Sequence, residues 1–173
     1  MADLQFISAD QIVIRPMVEA DLLSLEWEGE YTQYRKVFRD TFDGMQRGER
    51  LLLVAAAGAL IVGQVFIQLH STDSSYADGR HRAYLYALRV RPAWQGQGLG
   101  TRLIAAAEAT LRARGFDAAV IAAGQDNPGA LRLYQRLGYR IFAEDPGVWS
   151  FSDEAGQQQV MQEPCWVLEK KLI

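Results

Sequence analysis

Apolar positions along the chain follow two rhythms. Alternating or continuous apolar runs predict strands at residues 12–15, in two halves of the stretch 51–69, and at 82–90, 117–123, 139–144 and 165–172. Spacings of three and four predict helices between them. The first is "EADLLSLEWEG" with Asp21 as its cap, and the second covers residues 31–47, where Tyr34, Val37, Phe38, Phe42 and Met45 share a face. A third starts near Gly98 and lines up Leu99, Leu103, Ile104, Ala107 and Leu111, stopping at Gly115 with Arg112 and Arg114 in its last turn. The fourth is "DNPGALRLYQRLGY", with Asn127 as cap, Pro128 in the first turn and Gly138 at its end.

The run from Leu51 to Leu69 carries no charge over a span long enough to cross a bilayer. Gly58 and Ala59 divide it into two β-rich halves, and Gln64 and Gln68 interrupt the second, so it reads as a β-hairpin. The order is then β-α-α-β-β-β-α-β-α-β-β. Antiparallel strands lead into a right-handed parallel β-α-β-α core, giving a mixed α/β sheet of about seven strands flanked by about four helices. The polar stretch "HSTDSSYADGRH" reads as a surface loop, and residues 1–173 read as one domain.

Composition narrows the setting. The single cysteine, Cys165, has no internal partner, and "MADLQFISAD" lacks a basic segment followed by an apolar one, so a reducing cytoplasm is expected. A net charge of −3 offers no general attraction to nucleic acid or an anionic membrane, and neither is expected as a partner. With two histidines and one cysteine, and no His-Glu-x-x-His, paired-cysteine or Gly-x-Ser-x-Gly pattern, no metal site or serine nucleophile is expected.

The densest local signal is "VRPAWQGQGLGT", where Gly96, Gly98 and Gly100 fall at the junction between a strand and a helix. Glycine costs a helix's first turn roughly 1 kcal/mol against alanine, so another requirement outweighs propensity. Unpaired N–H groups at the positive end of a helix dipole make an anion site, and glycines let the main chain approach a phosphate. The plainer reading is a turn needing glycines for its own geometry. A P-loop would need a lysine before Thr101, and the dinucleotide pattern would need glycine at Thr101 or Leu103.

The turn resembles the Gln/Arg-x-x-Gly-x-Gly/Ala signature of the GCN5-related N-acetyltransferases, met as Gln95, Gly98 and Gly100. A second motif of that family, Asn-x-x-Ala-x-x-x-Tyr-x-x-x-Gly-Phe/Tyr, is matched by Asn127, Ala130, Tyr134, Gly138 and Tyr139, and "IVIRPMVEADLLSL" looks like the family's opening strand and helix. The likeness covers most of the chain and is weakest beyond Ala143. It implies acetyl-CoA held where two parallel strands splay, with contacts at Leu88, Arg89 and Val90 for the pantetheine. For the pyrophosphate it implies Gln95, Gly96, Gln97, Gly98, Leu99, Gly100 and Thr101. It also implies an N–H near Val90 as oxyanion donor and direct transfer to a small-molecule amine in a ternary complex. Family members often pair, so a homodimer is among the arrangements implied.

Spacing alone makes Tyr134 a core aromatic beside Ala130, Leu131 and Leu137, whereas its motif position is that of the family's general acid, at the coenzyme sulfur. Asn127 suits both a helix cap and a cofactor contact. The general base is unassigned, because many relatives carry a glutamate near the strand before the glycine turn and "RAYLYALRV" has none. Glu26, Glu28 and Glu30 would suit a cationic amine or form a solvated face, and Tyr31 and Tyr86 join them as acceptor-side candidates. Tyr84, Tyr86, His81 or a water chain are the remaining bases. Two further readings stay open. One is acetylation of a protein N-terminus or lysine, with the polar segments at 71–80 and 153–162 walling or bordering a groove. The other is a non-catalytic acyl-CoA-binding module, motivated by the missing strand acid.

Overall fold

In the computed structural model, residues 8–173 are described. Seven strands make the main sheet: β1 (Val13–Pro16), β2 (Arg50–Ala57), β3 (Leu60–Gln68), β4 (Arg82–Val90), β5 (Ala118–Gly124), β6 (Arg140–Asp145) and, last in the chain, β9 (Cys165–Lys171). Their spatial order is β1-β2-β3-β4-β5-β9-β6, antiparallel throughout except for the parallel pair β4–β5. The uncharged run closes as the expected hairpin, with Gly58 at φ +62° in its turn.

The sheet is apolar on both sides because helices cover both. On one face Leu53, Ala55, Val65, Ile67 and Leu85 meet Leu99, Leu103, Ile104, Ala107 and Leu111 of helix α2 (Leu99–Ala113) and Tyr134 of α3 (Pro128–Arg136). On the other, Leu52, Val54 and Phe66 meet Phe38 and Phe42 of α1 (Arg35–Gln46) together with Leu25 and Met17. No helix of the described residues is long and apolar enough to cross a membrane.

Four local expectations are corrected. Residues Glu19–Gly29 form a 3₁₀ segment broken by a kink at Trp27 and Glu28, not an α-helix, with Leu22 and Leu25 turned inward at three-residue spacing while Leu23 is exposed. Asp21 is not the cap residue. Val18 occupies that place, and the Asp21 carboxylate reaches back to accept the Val18 N–H at 2.9 Å while Arg15 holds it at 2.7 and 2.9 Å. The second helix begins at Arg35, after a single 3₁₀ turn at Thr32–Tyr34. The polar stretch near residue 155 belongs to an unforeseen hairpin, β7 (Val148–Ser152) with β8 (Gln158–Gln162), which stands apart from the main sheet and packs Trp149 and Phe151 against Tyr34.

Candidate active site

Strands β4 and β5 are in parallel register only from Arg82 opposite Ala118 to Leu85 opposite Ile121. Beyond that point β5 continues along β9 and β4 continues along β3, so the two diverge. The divergence coincides with a bulge: the β3–β4 register shifts between Gln64 and Phe66, and Ala87 lies at φ +51°. Past the bulge Leu88 and Val90 pack toward the α2 side, whereas Arg89 turns to the α1 side. The Arg91 N–H bonds to Val62 of β3 at 2.8 Å. Strand alternation therefore points the main-chain groups of Val90 and Leu88 into the open gap.

At the end of β4, Gly96 and Gly98 occupy left-handed backbone at φ +73° and +78°, and a Cβ at either would meet nothing within 4 Å. The first amide of α2 to find an acceptor is that of Arg102, on Gly98 O at 3.0 Å. From Gly96 to Thr101 the amides donate to no acceptor among the described residues, and the helix's first turn holds no acid. A cradle of free donors at the dipole's positive end, with open space where side chains would project, fits a diphosphate. Leu99, 3% exposed, anchors the helix below it. The side-chain amides of Gln95 and Gln97 are both turned to backbone carbonyls, Val90 at 2.8 Å and Ala93 at 3.4 Å, and Trp94 packs on the α2-side core.

Tyr134 comes from α3, whose start is fixed by Asn127 accepting the Ala130 N–H at 3.1 Å and by Pro128 in the first turn. It is buried, its ring centroid 6.3 Å from that of Tyr139, and burial alone pushes its phenol up to about 12. Such a hydroxyl keeps its proton at neutral pH and can donate it.

The acceptor-side candidates lie across the sheet, under the 3₁₀ segment and α1. Glu26, buried, is held by Arg35 at 2.8 and 3.1 Å, and the same guanidinium reaches Glu154 in the β7–β8 turn at 2.8 Å. Glu28 is on the surface, 2.6 Å from Arg91. The Tyr86 hydroxyl accepts from Arg50, and the Tyr31 ring lies beneath the Arg89 guanidinium with its centroid 3.9 Å away. Tyr84 stacks on Tyr86 with centroids 5.7 Å apart, and burial raises both phenols above their ordinary value. His81 is exposed and pairs with Asp117 at 2.8 Å.

Two features of this face, a strained backbone corner and an unpaired buried amide, were not read from the sequence. Trp27 and Glu28 are consecutive left-handed non-glycine residues, at φ +48° and +57°, a strained corner. Gln64, 1% exposed, has neither side-chain amide atom paired. Its interruption of an otherwise apolar strand was the available signal.

Comparison with known proteins agrees with this geometry. A 135-residue stretch is 26% identical to mycothiol acetyltransferase of Saccharomonospora viridis, covering 75% of this chain and 43% of that protein. The chain spans less than half the length of the curated relatives it matches. An N-acetyltransferase from Staphylococcus aureus Mu50 superposes with a TM-score of 0.73 at 14% identity, over 94% of this chain and 99% of that one. A GNAT family acetyltransferase from Elizabethkingia anophelis with acetyl-CoA bound gives a TM-score of 0.61 at 20% identity, over 94% and 99%. The family model described as Acetyltransferase (GNAT) family matches residues 19–139, more than half of the sequence. With that match, the splayed β4–β5 pair and the glycine turn at its mouth, the chain belongs to the GNAT acetyltransferase family.

Proposed function

We propose that the chain transfers an acetyl group from acetyl-CoA directly to the primary amine of a small molecule. The observation that carries this reading is the row of unpaired amides from Gly96 to Thr101 at the mouth of the β4–β5 gap. Bound there, acetyl-CoA supplies an activated thioester carbonyl. The main-chain groups of Leu88 and the N–H of Val90 face the gap as a strand edge, which suits the amide-bearing pantetheine arm. An outward N–H at Val90 is placed to stabilise negative charge on a carbonyl oxygen. Tyr134, protonated up to about 12, donates to the departing sulfur.

The chain's own side chains leave amine deprotonation to solvent. Glu26 and Glu28 are committed to Arg35 and Arg91, and burial makes Tyr84 and Tyr86 harder to ionise. A small acceptor is supported by the β7–β8 hairpin, which packs on Tyr34 and is tied down through Arg35 and Glu154, closing one side of the acceptor face. The curated relatives, named for mycothiol, agree with a small acceptor.

Thiol release from acetyl-CoA, followed across amino acids, polyamines, aminoglycosides and peptides, tests the reading. Turnover with a small amine and none with peptides is expected. Binding of acetyl-CoA with no turnover on any acceptor would overturn it in favour of a sensor.

A further inference from the structure

Four arginines around the 3₁₀ segment and sheet are paired with carboxylates, whereas Arg50, on the Tyr86 hydroxyl, and Arg89 are not. Arg15, Arg35, Arg82 and Arg91 each meet a carboxylate, on Asp21, Glu26, Glu169 and Glu28, at 2.6 to 2.8 Å. Arg89 meets none among the described residues. Its guanidinium is partly buried beside the rings of Tyr31, Phe38 and Trp27, with centroids at 3.9, 5.4 and 5.6 Å. Stacked rings neutralise part of the charge, the Tyr31 hydroxyl engages the guanidinium and Glu30 adds nearby negative charge, yet these take few of its five N–H donors, so an edge stays available to an oxygen anion. Directly across the strand pair, in register with Arg89, is Gln64, whose side chain is buried on the same face with both amide atoms unpaired. A fully buried unpaired amide is unfavourable, and a chain retains one where a polar guest or water completes it.

We propose that Arg89, backed by Gln64, forms a carboxylate-binding subsite for the acceptor, so that the acceptor is a small amine carrying a carboxylate. This rests on the acetyl-transfer reading above and deepens it. Arg89 neighbours Val90, whose main chain faces the gap, but its side chain projects to the opposite face of the sheet. One backbone position thus joins the reacting end of the donor to the anchored end of the acceptor. The rings of Tyr31 and Trp27 exclude water from the ion pair, which strengthens it. The strained corner at Trp27 and Glu28, pinned by Arg91 to Ser24 O at 3.0 Å, is what places Trp27 near the guanidinium.

The test compares acetylation of α-, β- and γ-amino acids with that of their carboxamides. A carboxamide's amine is less basic and more often neutral, so reactivity alone favours it and any preference for the acid reports recognition. The expected result is a kcat/KM ratio of at least about tenfold in favour of the acid, the size of a charge-assisted hydrogen bond. Arg89→Met should bring that ratio toward one, Arg89→Lys should retain part of it, and Gln64→Leu should reduce it. Acetylation of acids and carboxamides with a ratio of one or below in the unaltered protein overturns the subsite and leaves amine acetylation standing. Absence of turnover on every amine removes both.

Discussion

The side-chain amide of Gln95 donates to the carbonyl of Val90 at 2.8 Å, joining the last residue of β4 to the loop that enters the glycine turn. Two donor-binding surfaces, the strand edge and the amide cradle, are thereby held at one spacing. Replacing Gln95 with Leu removes one hydrogen bond worth about 0.5 to 1.5 kcal/mol. The expected outcome is a Kd for acetyl-CoA raised about twofold to tenfold with little change in Tm, read by calorimetry.

The glycine cradle can be separated from glycine geometry by a matched pair. Gly98 and Gly115 flank the same helix at φ +78° and +83°, and a Cβ on either would meet nothing within 4 Å. Alanine at each costs a similar left-handed strain of about 1 to 2 kcal/mol. The stability losses of Gly98→Ala and Gly115→Ala should therefore be alike. Only Gly98→Ala puts a methyl into the space where a diphosphate would lie, so it alone should weaken acetyl-CoA binding, by about tenfold or more. Equal affinities in the two variants would remove the cradle from donor binding.

Behind the site, Glu108 of α2 is buried and accepts from the Tyr139 hydroxyl at 3.0 Å and from Lys170 of β9 at 2.9 Å. It ties α2 to the end of the α3 motif and to β9. Glu108→Gln leaves Lys170, itself partly exposed, without its anion. A loss of about 1 to 3 kcal/mol is expected, lowering Tm by several degrees in a thermal melt.

What the sequence made legible followed from strong local chemistry. The β2–β3 hairpin was readable because one Gly-Ala pair split an uncharged run. The α2 junction was readable because glycines there contradict helix propensity, and α3 because Asn127, Pro128 and Gly138 mark both its ends. The acceptor face was not readable, since it is made of long-range pairings. Glu26 looks like a surface acid until Arg35, itself bonded to Glu154 of a separate element, pairs with it. Arg89 looked like part of the donor site because of its neighbours, but a bulge at Ala87 decides which side of the sheet it faces. The β7–β8 hairpin escaped notice because Val148 and Val160 stay exposed and its packing rests on two aromatic side chains against a distant tyrosine.

The protonation state of Tyr134 yields a prediction about pH. Burial raises its phenol to about 12, against about 10 for a free tyrosine. A raised value means that stability from the neutral phenol is fully present below about 10 and is lost only as pH rises through about 12. The same displacement governs rate. If Tyr134 donates to the departing thiolate, kcat should rise with pH as the amine loses its proton and show no alkaline fall near 10, where an ordinary tyrosine would ionise. Tyr134→Phe should lower kcat by about a hundredfold or more while acetyl-CoA affinity stays within about twofold, because the ring still fills the core position. Steady-state rates from pH 7 upward, with calorimetry on both proteins, check this. An unchanged kcat in the phenylalanine variant would return Tyr134 to a packing role, and the thiolate would then leave without help from this chain.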